Sequence, residues 1–246
     1  LLRSWRHHAT CGRKVKNNLR TIASLSVVIP TWNAALHLPG TLAALTAGTV
    51  PAEIMIADGG SSDSTRALAA AAGARVLEAP RGRGAQIAAG VAAAAAPWLL
   101  LLHADTRLSR GWDVEAARFL ADPANLERAA HFRFALDSAA PEARRLERAV
   151  AWRSRALGLP YGDQGLLISA AFLARLGGVS TAPLMEDVDL VRRIGRRRMV
   201  ALDADALTSA EKWEREGWTA RSARNLLCLG LWFAGVPPRL IRKIYG

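Results

Sequence analysis

Three short segments place carboxylates where chemistry could use them. Asp58-Gly59-Gly60-Ser61-Ser62-Asp63 follows one apolar run, His103-Ala104-Asp105-Thr106 follows another, and Glu186-Asp187-Val188-Asp189 opens a helical pattern. A carboxylate in such a place can accept hydrogen bonds from a ligand, hold a divalent cation against phosphate oxygens, or take a proton from an attacking hydroxyl. Each segment also has a structural counterpart. Asp58 with its two glycines makes a turn that lets backbone approach closely, Asp63 is a candidate N-cap, and acids in a first helical turn are favoured by the helix dipole. Arg81-Gly82-Arg83-Gly84 opens a further helix, where free amides and guanidinium groups suit a diphosphate or, alternatively, form a solvated loop. Asp163 and Gln164, after Pro160, suit a sugar or acceptor hydroxyl, or a turn. His103 could donate to a ribose, ligate a metal, or simply be hydrogen-bonded at a strand end.

The elements that must carry these residues are readable from residue 25 onward. Short apolar runs alternate with helical patterns, the signature of a mostly parallel sheet covered by helices. Strands are expected over 25–29, 53–57, 74–78 and 98–102, with helices over 36–47, 64–72 and 84–95 between them. Each strand ends in polar or glycine residues, and ligands of open α/β sheets bind beyond those carboxyl ends. The second half is less regular: a strand over 131–136, a charged amphipathic helix over 141–157 and a short strand over 165–168. Trp213 and Trp218 read as packing residues beside an apolar helix.

The 246 residues fit one large α/β domain, and 51% apolar with 22% charged residues argues against disorder. The net charge of +12 is concentrated. Arg3, Arg6, Arg13, Lys14, Lys16 and Arg20 precede any acid, so residues 1–24 read as a basic, flexible extension. That concentration argues against a specific nucleic-acid partner. Cys11 and Cys228 offer neither a disulfide framework nor a zinc spacing, which fits a reducing compartment. The apolar run 87–102 is divided by Pro97 and is too short to span a membrane. The run 226–236, flanked by Arg221, Arg224, Arg239, Arg242 and Lys243, suits either a packing helix or a membrane surface. No Gly-x-Gly-x-x-Gly follows the first strand, which disfavours a dinucleotide-dependent oxidoreductase.

Pro30-Thr31-Trp32-Asn33, the segment from Asp58 to Thr65, and His103 to Thr106 together resemble family 2 glycosyltransferases of the GT-A fold, over about residues 25 to 220. With Tyr161-Gly162-Asp163-Gln164-Gly165 and Met185-Glu186-Asp187-Val188-Asp189-Leu190 added, the pattern resembles a bacterial subgroup sometimes assigned to arsenosugar biosynthesis. The resemblance implies an α/β GT-A nucleotide-diphospho-sugar transferase fold, a mostly parallel central sheet flanked by helices. One domain would cover 25–246 and end in an amphipathic helical segment. It implies that Pro30, Thr31, Trp32, Asn33, Asp58, Arg83, His103 and Asp105 contact the donor, with Asp58 accepting the ring N–H of a uracil-like base. Asp105 would hold Mg²⁺ or Mn²⁺, and His103 stands where the Asp-x-Asp motif has its first aspartate. Trp32 replaces the more usual tyrosine, and Ala34-Ala35 follow Asn33 where the family often has an acid. Asp187 matches the catalytic base, and Asp163, Gln164 and Glu186 fall on the sugar or acceptor side. The implied activity is inverting transfer from a UDP-linked sugar to a hydroxyl acceptor, lipid-linked if the C-terminal segment meets membrane. The implied location is cytoplasmic, with a peripheral seat at the inner face of the membrane in that case. His103 and Ala34 motivate an alternative, a non-catalytic nucleotide-sugar-binding subunit.

Overall fold

The computed structural model describes residues 25–50 and 52–245, so the basic extension 1–24 lies outside the described residues. The first half alternates as expected: β1 (Leu25–Thr31), α1 (Leu38–Thr46), β2 (Ala52–Asp58), α2 (Thr65–Ala71), β3 (Arg75–Glu78), α3 (Arg83–Ala93) and β4 (Trp98–Leu101). The second half is more regular than its sequence suggests. It contains β5 (Thr106–Leu108), α4 (Trp112–Ala121), β6 (Ala129–Leu136), α5 (Pro141–Leu157), β7 (Leu166–Ser169), α6 (Ala170–Arg175), α7 (Glu186–Ile194), β8 (Met199–Thr208), α8 (Glu211–Glu216), α9 (Trp218–Phe233) and α10 (Pro238–Tyr245).

All these strands join one sheet in the order β3-β2-β1-β4-β7-β6-β8-β5. The strands β3, β2, β1 and β4 run parallel, β7 is antiparallel to both β4 and β6, β6 and β8 are parallel, and β5 closes the far edge antiparallel to β8. The ends of β1, β2 and β4 therefore open on one side, bringing the three polar segments of the first half together.

Strand β4 explains why an unbroken apolar run was needed at its position. Trp98 and Leu100, with the following Leu102, pack with α1 and α4 on one face of the sheet. Leu99 and Leu101 pack on the other with Ile87 of α3, Phe172 of α6 and Leu190 of α7. A strand buried on both faces has no polar side to alternate with. By contrast β8 buries Leu202, Ala204, Ala206 and Thr208 and turns the intervening residues outward, the period of a one-sided strand.

Pro30 does not stop β1, which continues to pair Pro30 with Ala57 and Thr31 with Asp58. The reason lies in which neighbour needs its donor. The Val28 carbonyl faces β4 and accepts from Leu102 N (3.1 Å), so Pro30, two residues on, faces the same way beyond the last paired residue of β4. The missing N–H falls just past the last bridged pair with β4, so it costs the β1–β2 ladder nothing.

Gly90 in α3 lets that helix rest on β1, since a Cβ there would lie 2.3 Å from Val28 Cγ1. Gly90→Ala is expected to lower stability by about 1–2 kcal/mol, overpacking exceeding the gain in helix propensity. Adding Val28→Ala should recover part of that loss in a double-mutant cycle measured by chemical denaturation; strictly additive losses would show that space is not what fixes the glycine.

Candidate active site

The loops after β1 and β2 are tied into one body by Asp58. Its side chain is fully buried and accepts from Thr31 Oγ1 (3.0 Å), Ser61 Oγ (2.5 Å), Ser61 N (2.8 Å), Gly60 N (3.1 Å) and Arg66 Nε (2.6 Å). Burial opposes ionisation, but donors from Ser61, Arg66 and Thr31 outweigh it and hold the carboxyl at about 2. Asn33, in the left-handed region at φ 47°, donates its N–H to Ser61 Oγ (2.9 Å) and accepts from Ser62 N (2.9 Å). Asp63 receives Thr65 N (3.0 Å) at the start of α2 and Ala35 N (3.1 Å) from across the crevice. It is thus both a helix-end partner and a clasp.

Gln86, in the first turn of α3, was not singled out by sequence. It is buried, and its Nε2 donates to both the Thr31 carbonyl (2.6 Å) and the Ala57 carbonyl (2.9 Å), while Oε1 accepts from Gly82 N (3.2 Å). Its only sequence signal is a lone amide in an Ala-rich helix. Above this floor, half-exposed Trp32 carries the Arg81 guanidinium 3.7 Å from its ring centroid.

The opposite wall is built by α7. Arg83 Nε is hydrogen-bonded to Glu186 Oε1, and its Nη2 lies 3.5 Å from Asp187 Oδ2. Glu186 is buried beneath this pair with its second oxygen unpartnered. Burial pushes Glu186 up and Arg83 pulls it back. Asp187 accepts from Gly162 N (3.0 Å) and Val188 N (2.8 Å). Burial raises its pKa, but Arg83 and these amides hold it below the usual carboxylate range. His103 lies on the same cluster: a Cβ on Gly162 would be 2.6 Å from its Nε2 and 3.2 Å from Asp187 Oδ2. Burial, then the Arg83 charge, lowers His103 to about 4, so it is a neutral imidazole at physiological pH. The structure thus brings Arg83, His103, Glu186 and Asp187 together from three segments.

Asp105 sits in the turn from β4 to β5, partly exposed, with Lys212 Nζ 3.8 Å from Oδ2. Lys212, on α8, is another residue that sequence reading passed over. Among the described residues no group of three or more His, Cys, Asp and Glu could cage a metal. One carboxylate beside a neutral imidazole instead fits a Mg²⁺ or Mn²⁺ ion shared with phosphate oxygens, the usual way such ions are bound beside a diphosphate.

The residues after Pro160 divide. Gln164 turns inward, donating to the Phe132 carbonyl (3.0 Å) and accepting from Ser154 Oγ (3.0 Å), and therefore supports the core. Asp163 keeps a buried oxygen without a partner, and burial, partly offset by Arg153, lifts its carboxyl to about 6. Tyr161 has an unpartnered buried hydroxyl, raised to about 12 by burial, under an Arg153 guanidinium 3.7 Å from its ring.

A strand-end crevice closed by a carboxylate wall places the chain among GT-A fold proteins, and solved structures agree. The fold resembles S. aureus TarS 1-349 (TM-score 0.58, 15% identity, 90% of this chain and 69% of that one) and the mannosyltransferase PcManGT from Pyrobaculum calidifontis in complex with GDP-Man and Mn²⁺ (TM-score 0.61, 18% identity, 81% and 59%). It also resembles glucosyl-3-phosphoglycerate synthase from Mycobacterium tuberculosis in complex with Mn²⁺, UDP and glucosyl-3-phosphoglycerate (TM-score 0.52, 18% identity, 76% and 70%). Residues 26–146 match the model of glycosyl transferase family 2, so that segment is a family 2 glycosyltransferase domain. Uncharacterized glycosyltransferases of Mycobacterium tuberculosis and Mycobacterium bovis are 37% identical over 89 residues. That stretch spans 36% of this chain and 39% of theirs.

Asp58 and Asp163 predict opposite pH behaviour. The Asp58 carboxyl is depressed from about 3.9 when unfolded, so its contribution is present above that pH and lost as pH falls toward about 2. Asp58→Asn should cost about 2–3 kcal/mol at neutral pH, a deficit that shrinks in acid. The Asp163 carboxyl is raised, so the stability it permits is lost as pH rises from about 3.9 to about 6, and Asp163→Asn should become relatively more stabilising over that rise. Denaturant unfolding of each variant across pH checks both slopes.

Proposed function

We propose that the protein transfers a sugar from a nucleotide-diphosphate donor, UDP-linked, onto a hydroxyl acceptor with inversion at the anomeric carbon. The observation that carries this reading is the meeting of Arg83 and Asp187, a diphosphate-type cation and an ionised carboxylate 3.5 Å apart at the mouth of the crevice. In this reading the donor diphosphate draws the Arg83 guanidinium toward itself, leaving Asp187 to the acceptor. The acceptor oxygen forms its bond to the anomeric carbon as its proton passes to an Asp187 oxygen, and the bond to the diphosphate breaks on the opposite face with the electron pair leaving on the nucleotide. A Mg²⁺ or Mn²⁺ ion held by Asp105, with His103 alongside, would supply Lewis-acid neutralisation of the departing diphosphate. Asp58 takes a uracil imide N–H when the rotatable Ser61 hydroxyl yields its place.

The UDP, GDP-Man and Mn²⁺ in the similar structures support the donor class and a divalent cation. A lipid-linked acceptor and a peripheral seat at the cytoplasmic face of the membrane extend the reading and rest on the C-terminal helices. None of the described helices is long and apolar enough to cross a membrane. A second reading, a donor-binding subunit without turnover, is favoured by one observation: the first position of the metal motif holds His103 in place of an aspartate, so the site offers one carboxylate fewer.

A panel of nucleotide-sugars with and without Mn²⁺ should raise the melting temperature with the true donor, more so with metal. Asp187→Asn should lower turnover by about 10²–10⁴-fold while that donor-induced shift persists, whereas Asp105→Ala should also diminish the metal-dependent part. Full activity in Asp187→Asn would remove the base assignment, and donor binding without nucleotide diphosphate release across a broad acceptor panel would favour the second reading.

A further inference from the structure

From Leu226 onward the helix α9 is apolar on both sides. Its inner side places Cys228, Leu229 and Trp232 in the cluster formed by Leu184, Met185, Val188 and Ile241. A surface helix ordinarily turns charge outward, yet every exposed position from 219 to 234 is uncharged. Leu226 is 69% exposed, Leu227 53% and Phe233 49%. The adjoining α10 exposes Leu240 and Ile244 among the exposed Arg239, Arg242 and Lys243. Arg192 of α7 adds a cation 5.2 Å from the Phe233 ring. No Asp or Glu occurs in residues 217–246.

We propose that the outer face of α9, together with α10, docks on an anionic lipid bilayer, so that the acceptor hydroxyl is presented from a lipid. The second clause rests on the glycosyltransferase reading; the docking surface does not. Exposed leucines and a phenylalanine rimmed by cations match an interface with acyl chains beneath and negative headgroups around them. A nucleic acid would meet the cations and leave the leucines in water. A second copy of this chain would cover the leucines but bring two basic rims together, which charge repulsion disfavours.

The surface is one packing layer from the base. Met185 precedes Glu186 and Asp187, sits in the left-handed region at φ 66°, and is buried in the same cluster as Cys228 and Ile241. That conformation is costly for a residue with a side chain and persists only where its surroundings hold it. The inner side of α9 and the buried side of α10 are those surroundings, so docking and the aim of Asp187 share one scaffold.

The test is sedimentation of the full chain with phosphatidylcholine vesicles, with and without phosphatidylserine. The protein should pellet with the anionic vesicles, stay largely soluble with the neutral ones, and be released by salt. Leu226→Glu with Leu227→Glu should weaken binding by roughly tenfold or more, as should Arg239→Gln, Arg242→Gln and Lys243→Gln together. The altered side chains are exposed, so the melting temperature should be unchanged. No pelleting, equal pelleting on neutral vesicles, or indifference to these substitutions would overturn the proposal, as would a dimer that Leu226→Glu with Leu227→Glu separates in the absence of vesicle binding. A nucleotide-sugar thermal shift on the same preparations separates failure of docking from failure of the transferase reading.

Discussion

The ion pair of Arg83 with Glu186 and Asp187 joins parts of the chain more than 100 residues apart, and much of the site hangs on it. Taking charges out of water is costly, and the attraction between them offsets that cost only when geometry is good and remaining donors and acceptors are met. Here two acids share one guanidinium, and Glu186 keeps an oxygen without a partner. Such an arrangement is a poor way to stabilise a fold. It makes better sense as a poised charge balance, which the proposed reaction shifts when the donor diphosphate brings negative charge to Arg83.

Close backbone approaches surround this pair. Gly84 follows Arg83 where a Cβ would lie 2.2 Å from the Ser180 carbonyl and 2.6 Å from that of Ala182, so only glycine lets the start of α3 reach the strand of chain before α7. Gly162 does the same between His103 and Asp187. Met185 turns the chain into α7 from a left-handed conformation. Gly84 and Met185 adjoin charged residues of the cluster in the chain and Gly162 touches Asp187 in space, as expected if positioning those groups, not regular packing, dictated the local backbone.

The alternating first half was legible because apolar runs, helical patterns and glycine-rich strand ends agree there, and Asp58, Arg83 and Asp105 fall at those ends as expected. Pro30 misled the boundary of β1 because the rule against proline in strands depends on a neighbour that one-dimensional pattern cannot show. The second half hid its regularity otherwise. β8 uses alanine and threonine for much of its buried side, so its alternation is weak in hydropathy though plain in burial. Gln164 looked like a ligand residue because its neighbours do, yet a side-chain direction decides the matter. Gln86 was invisible for the converse reason: its importance lies in two carbonyls brought beside it by the sheet. Arg83 and Asp187 were each identifiable, but their proximity is a property of the fold.

Gln86 bridges the ends of β1 and β2 like a rung across a ladder, one amide nitrogen holding a carbonyl from each rail. With Asp58 and Asn33 locking the loops above, that end of the crevice has little freedom left to lose. The backbone of that end, which the proposed reaction gives to the nucleotide, is therefore set largely by folding, leaving side-chain rotations such as that of the Ser61 hydroxyl for the encounter. Adaptation to an incoming molecule falls to the other wall, where Arg83 can exchange partners and the segment around Tyr161 and Asp163 still holds unmatched polar atoms. On the proposed reading, the well-satisfied wall meets the donor's constant part and the wall with unmatched polar atoms meets the groups that vary.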